Sequence, residues 1–445
     1  MGAAEPFADL DRAAVARALV QIADRNGDLV DAYFERLEEV ELPAEDRAGR
    51  SPGIRTRREE GLAVRLVRGG RTWLAARDGI DGDSFSNALR RAARALPPAA
   101  YPDPHLELAP WGGPPAAPEV LELPSRLQRA IRLHHAAFAM RLTVRRHRRW
   151  LQVVGGDKVV PDAEKESFYS LEAELPWCRH GALLATPGDA ALDEVAEVLV
   201  ALFRARGAAP PAPTREPAIL GPAAAAVFLH EAVAHALEAD VLAVGGDPES
   251  AVGLRLGGPL LNVLDDPGTA PEPVRRRSDD EGRTVRRRWL LRGGEVQEPL
   301  ADARWAAASE VLAPGAGRRG NRHGLPGPRS THLELVPAEG EGSDLLADAD
   351  GGLYLPVAGR GSLDPTSGTF RLSFPLARRI RGGAPAEALG PCRLEGRVAD
   401  LLAAVAGVGS EARPAGAGWC AKGGQKLAVW ATAPALRLEG VEVTP

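Results

Sequence analysis

The chain has 445 residues and a formal net charge of −5 at pH 7, with 44% hydrophobic and 26% charged residues. This is the composition of a globular protein with enough material for about two or three domains. The mild acidity gives no indication of a nucleic-acid partner, and no apolar run reaches the roughly 18 residues of a membrane span. The 3 cysteines are widely spaced and the N-terminus has no apolar signal-peptide core, so we expect a reducing, cytoplasmic location.

Helical and strand patterns alternate through the first half of the chain. Strand-like runs on either side of Gly69-Gly70 predict a β-hairpin, whereas the charges and prolines of residues 41–58 predict a loop. The predicted helices are Asp9–Asp24, Ser84–Leu96 with Ser84 or Ser86 as its cap, one that begins at Ser125, and Asp189–Arg206. The other predicted strands are Asp28–Arg36, Leu142–Val154 and Ser167–Leu175.

A basic run, RRHRR, occupies Arg145–Arg149 inside one of these predicted strands. Such a run can bind an acidic partner, but on a strand it more often forms a solvated face. We therefore interpret it as solvated.

Two proline-rich segments interrupt the patterns, residues 97–118 and 207–217. Segments of this composition connect elements rather than form them. The second segment is the preferred domain boundary. It divides the chain into an N-terminal α+β domain, residues 1–210, and a C-terminal domain, residues 211–445.

The C-terminal domain begins with a predicted helix from Pro222 to about Val241. Proline suits a first helical turn, and the apolar residues that follow predict a buried helix. Its sequence continues as His230-Glu231-Ala232-Val233-Ala234-His235, followed by Glu238 and Asp240. Ionisable groups are rarely buried unless they are paired or bind a metal.

The spacing of the two histidines is i and i+5, whereas the familiar zinc motif places them at i and i+4. In a straight helix the imidazoles would lie roughly 140° apart, which is poor geometry for one metal. Either the helix is distorted between them, for example by a π-type turn, or only one of them belongs to a site. The alternative is a pair of hydrogen-bonded core histidines beside solvated carboxylates.

From residue 253 onwards, short strands separated by Gly, Pro and Asp turns predict a large sheet or barrel. The predicted helices of this part are Ser343–Ala349 and Arg397–Ala406. Near the C-terminus, Cys420 lies among glycines and beside Lys422, whose charge would favour the thiolate that binds metals. By itself this cysteine is more typical of an ordinary half-buried thiol than of a metal ligand.

Several of these segments together resemble the TldD/PmbA family of zinc peptidases, also called modulators of DNA gyrase. HEAVAHALEAD at 230–240 is similar to the HExxxH signature of that family, and GWCAKGGQ at 418–425 to its C-terminal motif. Asp279-Asp280-Glu281-Gly282 resembles its DDEG segment, and residues 361–370 and the N-terminal hairpin also match. The resemblance spans most of the chain and is weakest at residues 37–58 and 97–125.

The resemblance implies that His230, His235 and Cys420 bind Zn²⁺ and that Glu231 is the catalytic general base, acting on a metal-activated water. It implies a metallopeptidase with an N-terminal α+β domain and a C-terminal β-rich, barrel-like domain. Glu238 and Asp240 could position a histidine or simply end the helix. Alanines at 234, 236 and 239, where many relatives have glycine, would stiffen the helix where distortion is needed.

As partners, the resemblance implies small or unfolded peptide substrates, cleaved inside the cavity of a homodimer or of a heterodimer with a TldE/PmbA-like subunit. No nucleic acid or membrane is expected to bind. The alternative function is a non-catalytic subunit or adaptor in a TldD–TldE-like complex, and a redox or metal-sensing role for Cys420 is a third hypothesis.

Overall fold

The structure is a computed structural model that describes residues 7–23, 29–45, 53–95, 106, 108, 117–155, 163–338 and 344–445. Helices and strands are both abundant, which confirms the predicted α+β class. The proline-rich segment 97–118 falls almost entirely outside the described residues. Within them, no helix combines the length and apolar character that crossing a membrane requires.

A 6-stranded antiparallel sheet with the order β3-β2-β1-β4-β5-β6 organises the N-terminal half. Its strands are β1 Leu29–Leu42, β2 Arg55–Arg68, β3 Arg71–Asp78, β4 Arg141–Gly155, β5 Glu164–Glu174 and β6 Arg179–Leu184. The hairpin predicted around Gly69-Gly70 is present as β2–β3. The loop predicted over residues 41–58 is wrong at both ends, because β1 continues to Leu42 and β2 begins at Arg55, and residues 46–52 lie outside the described residues.

Four helices cover one face of this sheet, with Val30, Ala32, Phe34 and Val40 of β1 beneath them. These residues are all even-numbered, as the two-residue period of a strand requires. The helices are α1 Arg12–Val20, α2 Gly82–Ala92, α3 Pro118–Leu133 and α4 Asp189–Arg204. The cap of α2 is Asp81, whose carboxylate accepts the Ser84 N–H, rather than either predicted serine.

The opposite face of β1 is polar, and its residues Asp31, Tyr33 and Glu35 are buried. Arg65 on β2 is paired with Asp31 of this face and with Glu281 of the DDEG segment. Arg149 on β4 donates to Glu35 at 3.1 Å and lies 3.4 Å from a carboxylate oxygen of Asp280. The DDEG segment thus joins the N-terminal sheet to the C-terminal half through buried ion pairs.

The interpretation of RRHRR as a solvated face is therefore wrong. Only 1% of Arg146 and 7% of Arg149 is exposed. Arg146 is paired with Glu38 of the neighbouring strand and with Glu119 of α3. The partners are carboxylates of the same chain, so these arginines are structural.

Several carboxylates are crowded near this interface. Asp279, Glu281 and Asp302 are all buried, and the Glu281 carboxylate accepts the Ala303 N–H at 2.6 Å. Burial, and next the charge of Glu281, raise the pKa of both Asp279 and Asp302 to about 7. The crowding therefore favours proton uptake in the folded state.

Open sheets of 6, 6, 4 and 2 strands make up the C-terminal half. Their orders are β10-β9-β8-β13-β22-β21, β18-β17-β14-β7-β23-β20, β15-β16-β19-β24 and β11-β12. None of these orders closes into a ring among the described strands, so the barrel-like arrangement that the resemblance implied is not found. The strands are β7 Ala218–Leu220, β8 Val263–Asp265, β9 Arg288–Arg292, β10 Glu295–Val296, β11 Gly317–Arg318, β12 Gly327–Pro328, β13 His332–Leu335, β14 Leu353–Leu355, β15 Gly361–Leu363, β16 Thr369–Phe374, β17 Ala377–Arg381, β18 Ala384–Leu389, β19 Cys392–Arg397, β20 Val405–Val408, β21 Arg413–Lys422, β22 Gln425–Ala433, β23 Leu436–Leu438 and β24 Val443–Thr444.

Helix α5, Pro222–Leu229, packs among the sheets of this half and confirms the predicted buried helix. Ala224, Ala225, Ala226, Phe228 and Leu229 belong to the main hydrophobic cluster, together with residues of the surrounding sheets. The remaining helices are α5 Pro222–Leu229, α6 Ala239–Gly245, α7 Ala303–Ala307 and α8 Val398–Ala403. The helix predicted at Ser343–Ala349 is reduced to a 3₁₀ turn, Ala347–Ala349, and residue 343 lies outside the described part. The division into domains at residue 210 stays a prediction.

Candidate metal centre

The helix that carries the HExxxH sequence changes its winding at the first histidine. α5 ends at Leu229, and His230–Ala234 forms a π-turn in which the His235 N–H donates to the His230 carbonyl. This bond spans five residues, so both histidines return to one side of the helix. Their ring centroids lie 4.6 Å apart.

The π-turn supplies the distortion that the i, i+5 spacing required, and it forms with alanine at position 234. The predicted continuous helix to Val241 is wrong beyond it. His235–Leu237 is a 3₁₀ turn, Glu238 has extended backbone with ψ 128°, and α6 starts afresh at Ala239. The break turns Glu238 back towards the histidines.

Cys420 reaches the same place from β21, the edge strand of its sheet. Its sulfur lies 3.5 Å from Nε2 of His235. One donor atom from each of His230, His235 and Cys420 lies within 4.8 Å of the others. The sequence analysis did not predict this strand, because the glycines of 416–424 hide its pattern.

His230 is buried, with 2% exposed, and its Nε2 has no hydrogen-bond partner among the described residues. Its Nδ1 lies 3.5 Å from the Ser330 hydroxyl. Burial, and next the neighbouring His235, lower the pKa of His230 well below its ordinary value. A buried, neutral imidazole nitrogen without a partner is suited to a cation.

Glu238 holds the second histidine. One carboxylate oxygen lies 2.9 Å from Nδ1 of His235 and also contacts the Lys422 ammonium. Burial alone would raise the pKa of Glu238, but the charge and hydrogen bond of His235 and the charges of Arg329 and Lys422 lower it to about 2. An ionised carboxylate can only accept, so Nδ1 must donate and Nε2 is left for a metal.

Lys422 has a role that the sequence did not indicate. Its ammonium contacts Glu238 and lies 2.7 Å from a carboxylate oxygen of Asp240. It therefore fixes the carboxylate that orients His235. The pairing also gives Asp240 a place in the site, a question that sequence had left open.

Glu231 follows His230 in the π-turn. Burial raises its pKa above the ordinary value. No hydrogen bond is formed by its carboxylate with the described residues, so the side chain is chemically available. The structure packs it against Gly361 of β15, a neighbour that the sequence analysis did not identify.

One further group of possible ligands is present among the described residues, His134, Asp193 and Glu197. Nε2 of His134 lies 2.8 Å from the Asp193 carboxylate, and both acidic residues are exposed on α4. The HExxxH group differs from it in having a thiol, two buried members and an unpartnered nitrogen. Its donor set fits a metal ion better.

Comparison with known proteins identifies the family of the chain. The sequence model of a family described as "PmbA/TldA metallopeptidase C-terminal domain" matches residues 213–445, more than half of the chain. The chain belongs to the TldD/PmbA family.

Among its relatives in this family, a metalloprotease TldD homolog from Haemophilus influenzae is 32% identical over 236 residues, which cover 51% of this chain and 48% of that protein. A zinc metalloprotease TldD homolog from Saccharolobus solfataricus is 25% identical over 230 residues, or 51% of each chain. These matches span about half the length of the curated relatives.

Solved structures extend the likeness of the fold over nearly the whole chain. A candidate modulator of a DNA gyrase from Thermotoga maritima superposes with a TM-score of 0.71 at 16% identity, over 97% of this chain and 99% of that one. TldE from Thermococcus kodakarensis gives 0.70 at 18% identity with the same coverage.

Proposed function

We propose that this TldD/PmbA-family chain is a zinc-dependent peptidase. His230, His235 and Cys420 would hold the metal, and Glu231 would be the general base. The observation that carries the proposal is the convergence of the three donor atoms on one point, with Nε2 of His230 buried and unpartnered. The metalloprotease names of the relatives support it.

The donor set favours zinc over other common metals. Two imidazoles and one thiolate are ligands that Zn²⁺ accepts, whereas magnesium and calcium prefer oxygen. Tetrahedral angles with ordinary Zn–N and Zn–S lengths place N and S about 3.6 Å apart. The 3.5 Å between Nε2 of His235 and the Cys420 sulfur is close to that value.

When bound, zinc would act as a Lewis acid that polarises a peptide carbonyl and lowers the pKa of a water molecule. Three protein ligands leave a position open for these species. Glu238 and Lys422 hold His235 in the required tautomer. Glu231, adjacent to a ligand and without a hydrogen-bond partner in the described chain, would take the proton of the water and deliver it to the leaving amine.

The substrates that we propose are small or unfolded peptides, cleaved inside a dimer cavity in the cytoplasm. A heterodimer with a TldE/PmbA-like subunit is one form of this proposal, supported by the likeness of the fold to TldE. The same likeness keeps the adaptor hypothesis as the alternative. The complete set of His230, Glu231, His235 and Cys420 favours the catalytic subunit, because an adaptor has no chemical need of a base.

The test compares zinc content and cleavage of unfolded peptides between the wild type and Glu231→Gln. Glu411→Gln is the matched control, since the same change is made at a side chain that is 85% exposed. We expect zinc near one per chain in all proteins and cleavage at least about 100-fold slower in Glu231→Gln alone. Zinc-loaded wild type without cleavage, alone or with a TldE-like subunit, would overturn the peptidase in favour of the adaptor.

A further inference from the structure

The hairpin β15–β16 lies against the π-turn, and Gly361 is the first residue of β15. A Cβ atom built on Gly361 would lie 2.4 Å from Cγ and 2.8 Å from Cδ of Glu231, and 3.3 Å from its Cβ. Real Cβ atoms do not approach other carbons to the first two distances. The side chain of Glu231 therefore occupies space that exists only because residue 361 has no side chain.

The backbone at this position does not need glycine. Gly361 is absent from the residues with positive φ, and it pairs with Leu372 in ordinary antiparallel register. Gly368, in the turn between β15 and β16, has φ +67° and is a glycine for conformational reasons. At Gly361 the structure requires the absence of a side chain, which leaves space for Glu231, rather than an unusual backbone conformation.

We propose that Gly361 is a positioning residue for Glu231, its bare backbone forming the wall that sets the direction of the carboxylate. The inference rests on the proposed role of Glu231 as the base. No hydrogen bond from the described residues orients this carboxylate, so packing must fix its rotamer. The three atoms nearest to a Cβ added at Gly361 all belong to Glu231.

The methyl group added by Gly361→Ala must then displace the side chain of Glu231 itself, not the mobile end of a long neighbouring side chain. The atoms that it meets are Cβ, Cγ and the carboxylate carbon Cδ of Glu231, whose backbone belongs to the π-turn. Glu231 can escape only by changing rotamer, which swings the carboxylate by more than the roughly 1 Å that costs about 100-fold in rate. The metal ligands are not touched by this change.

The first measurement is kinetic. Gly396→Ala is the control, because Gly396 lies in the same sheet and its added Cβ would be in ordinary contact, 3.4 Å from Leu401. In Gly361→Ala we expect zinc content and KM to stay unchanged and kcat to fall about 10- to 100-fold. Gly396→Ala should stay within about twofold of the wild type. Unchanged kcat in Gly361→Ala would overturn the proposal.

The second measurement does not depend on activity. Gly361→Ala and Gly396→Ala are each made in the wild type and in Glu231→Ala, which lacks Cγ and Cδ, and the thermal midpoints are compared. We expect Gly361→Ala to lower the midpoint by at least about 2 °C in the wild type and clearly less in Glu231→Ala. The shift caused by Gly396→Ala should be equal in both backgrounds.

An equal loss of stability from Gly361→Ala in both backgrounds would show that the clash is not with Glu231 and would overturn the proposal. If Gly361→Ala folds only when Glu231 is also replaced, the contact between the two residues is confirmed. If Gly361→Ala folds in neither background, the proposed contact is contradicted. A wild type that cleaves no peptide refutes the proposed function, whereas the stability comparison still decides the contact.

Discussion

Replacing Glu238 by Gln tests how the second histidine is held. Glu238 is fully buried, and its carboxylate accepts from Nδ1 of His235 at 2.9 Å and pairs with Lys422. Gln preserves the shape and one acceptor but removes the charge. The imidazole then becomes a poorer donor to a metal, and its orientation is less tightly fixed.

Loss of such an orienting partner typically weakens metal affinity by about 10- to 100-fold, which corresponds to about 1.4–2.7 kcal/mol. The assay is competition for zinc between the protein and a chelator of known affinity at one pH. Asp240→Asn is the matched control, because Asp240 lies 2.7 Å from the same Lys422 ammonium but makes no contact with His235 in the structure. It should stay within about threefold of the wild type.

Two outcomes would refute this reasoning. Zinc affinity of Glu238→Gln within threefold of the wild type would show that the carboxylate does not support the ligand. An equal loss in Asp240→Asn would show that the effect comes through Lys422 and the general charge of the site. Thermal unfolding of the metal-free proteins controls for a loss of fold.

Two further predictions concern the interface of the two halves. Burial and the charge of Glu281 raise the pKa of Asp302 to about 7, so the folded state binds this proton more tightly than the unfolded chain does. The proton therefore contributes to the free energy of unfolding. This contribution is complete below the unfolded pKa of 3.8 and is lost as the pH rises through about 7. Asp302→Asn can still accept the Trp305 N–H. Urea titrations should show it more stable by about 4 kcal/mol at pH 8, with a free energy of unfolding that depends less on pH, and an unchanged pH dependence would contradict the prediction. Asp280→Asn removes the charge of one buried partner of Arg149 and should lower the free energy of unfolding by about 3–5 kcal/mol in the same assay. A loss below about 1 kcal/mol would show that this charge is dispensable.

The local part of the site could be predicted from sequence. The proline and the apolar residues after it predicted the buried helix that begins at Pro222. The i, i+5 spacing indicated either a distortion between the histidines, for example a π-type turn, or a site with only one of them. The carboxylate pattern also indicated Glu238 as a candidate partner. These features depend on residues within one or two helical turns of one another, which is the range over which a sequence pattern is informative.

Contacts between distant segments could not be predicted in this way. Arg149 was interpreted as solvated because its partners, Glu35 and Asp280, are more than 100 residues away on other elements. Gly361 is likewise remote from Glu231 in sequence, and nothing local distinguishes it from a turn glycine. The strand that carries Cys420 was missed because its packing, rather than its glycine-rich composition, determines its structure.

The zinc X-ray absorption spectrum of the loaded protein shows whether one metal binds to His230, His235 and Cys420. We expect one sulfur at about 2.3 Å and two imidazole nitrogens at about 2.0–2.1 Å, with the sulfur lost in Cys420→Ser. A first shell of nitrogen and oxygen alone in the wild type would refute this metal site. It would place the metal elsewhere, for example at His134, Asp193 and Glu197.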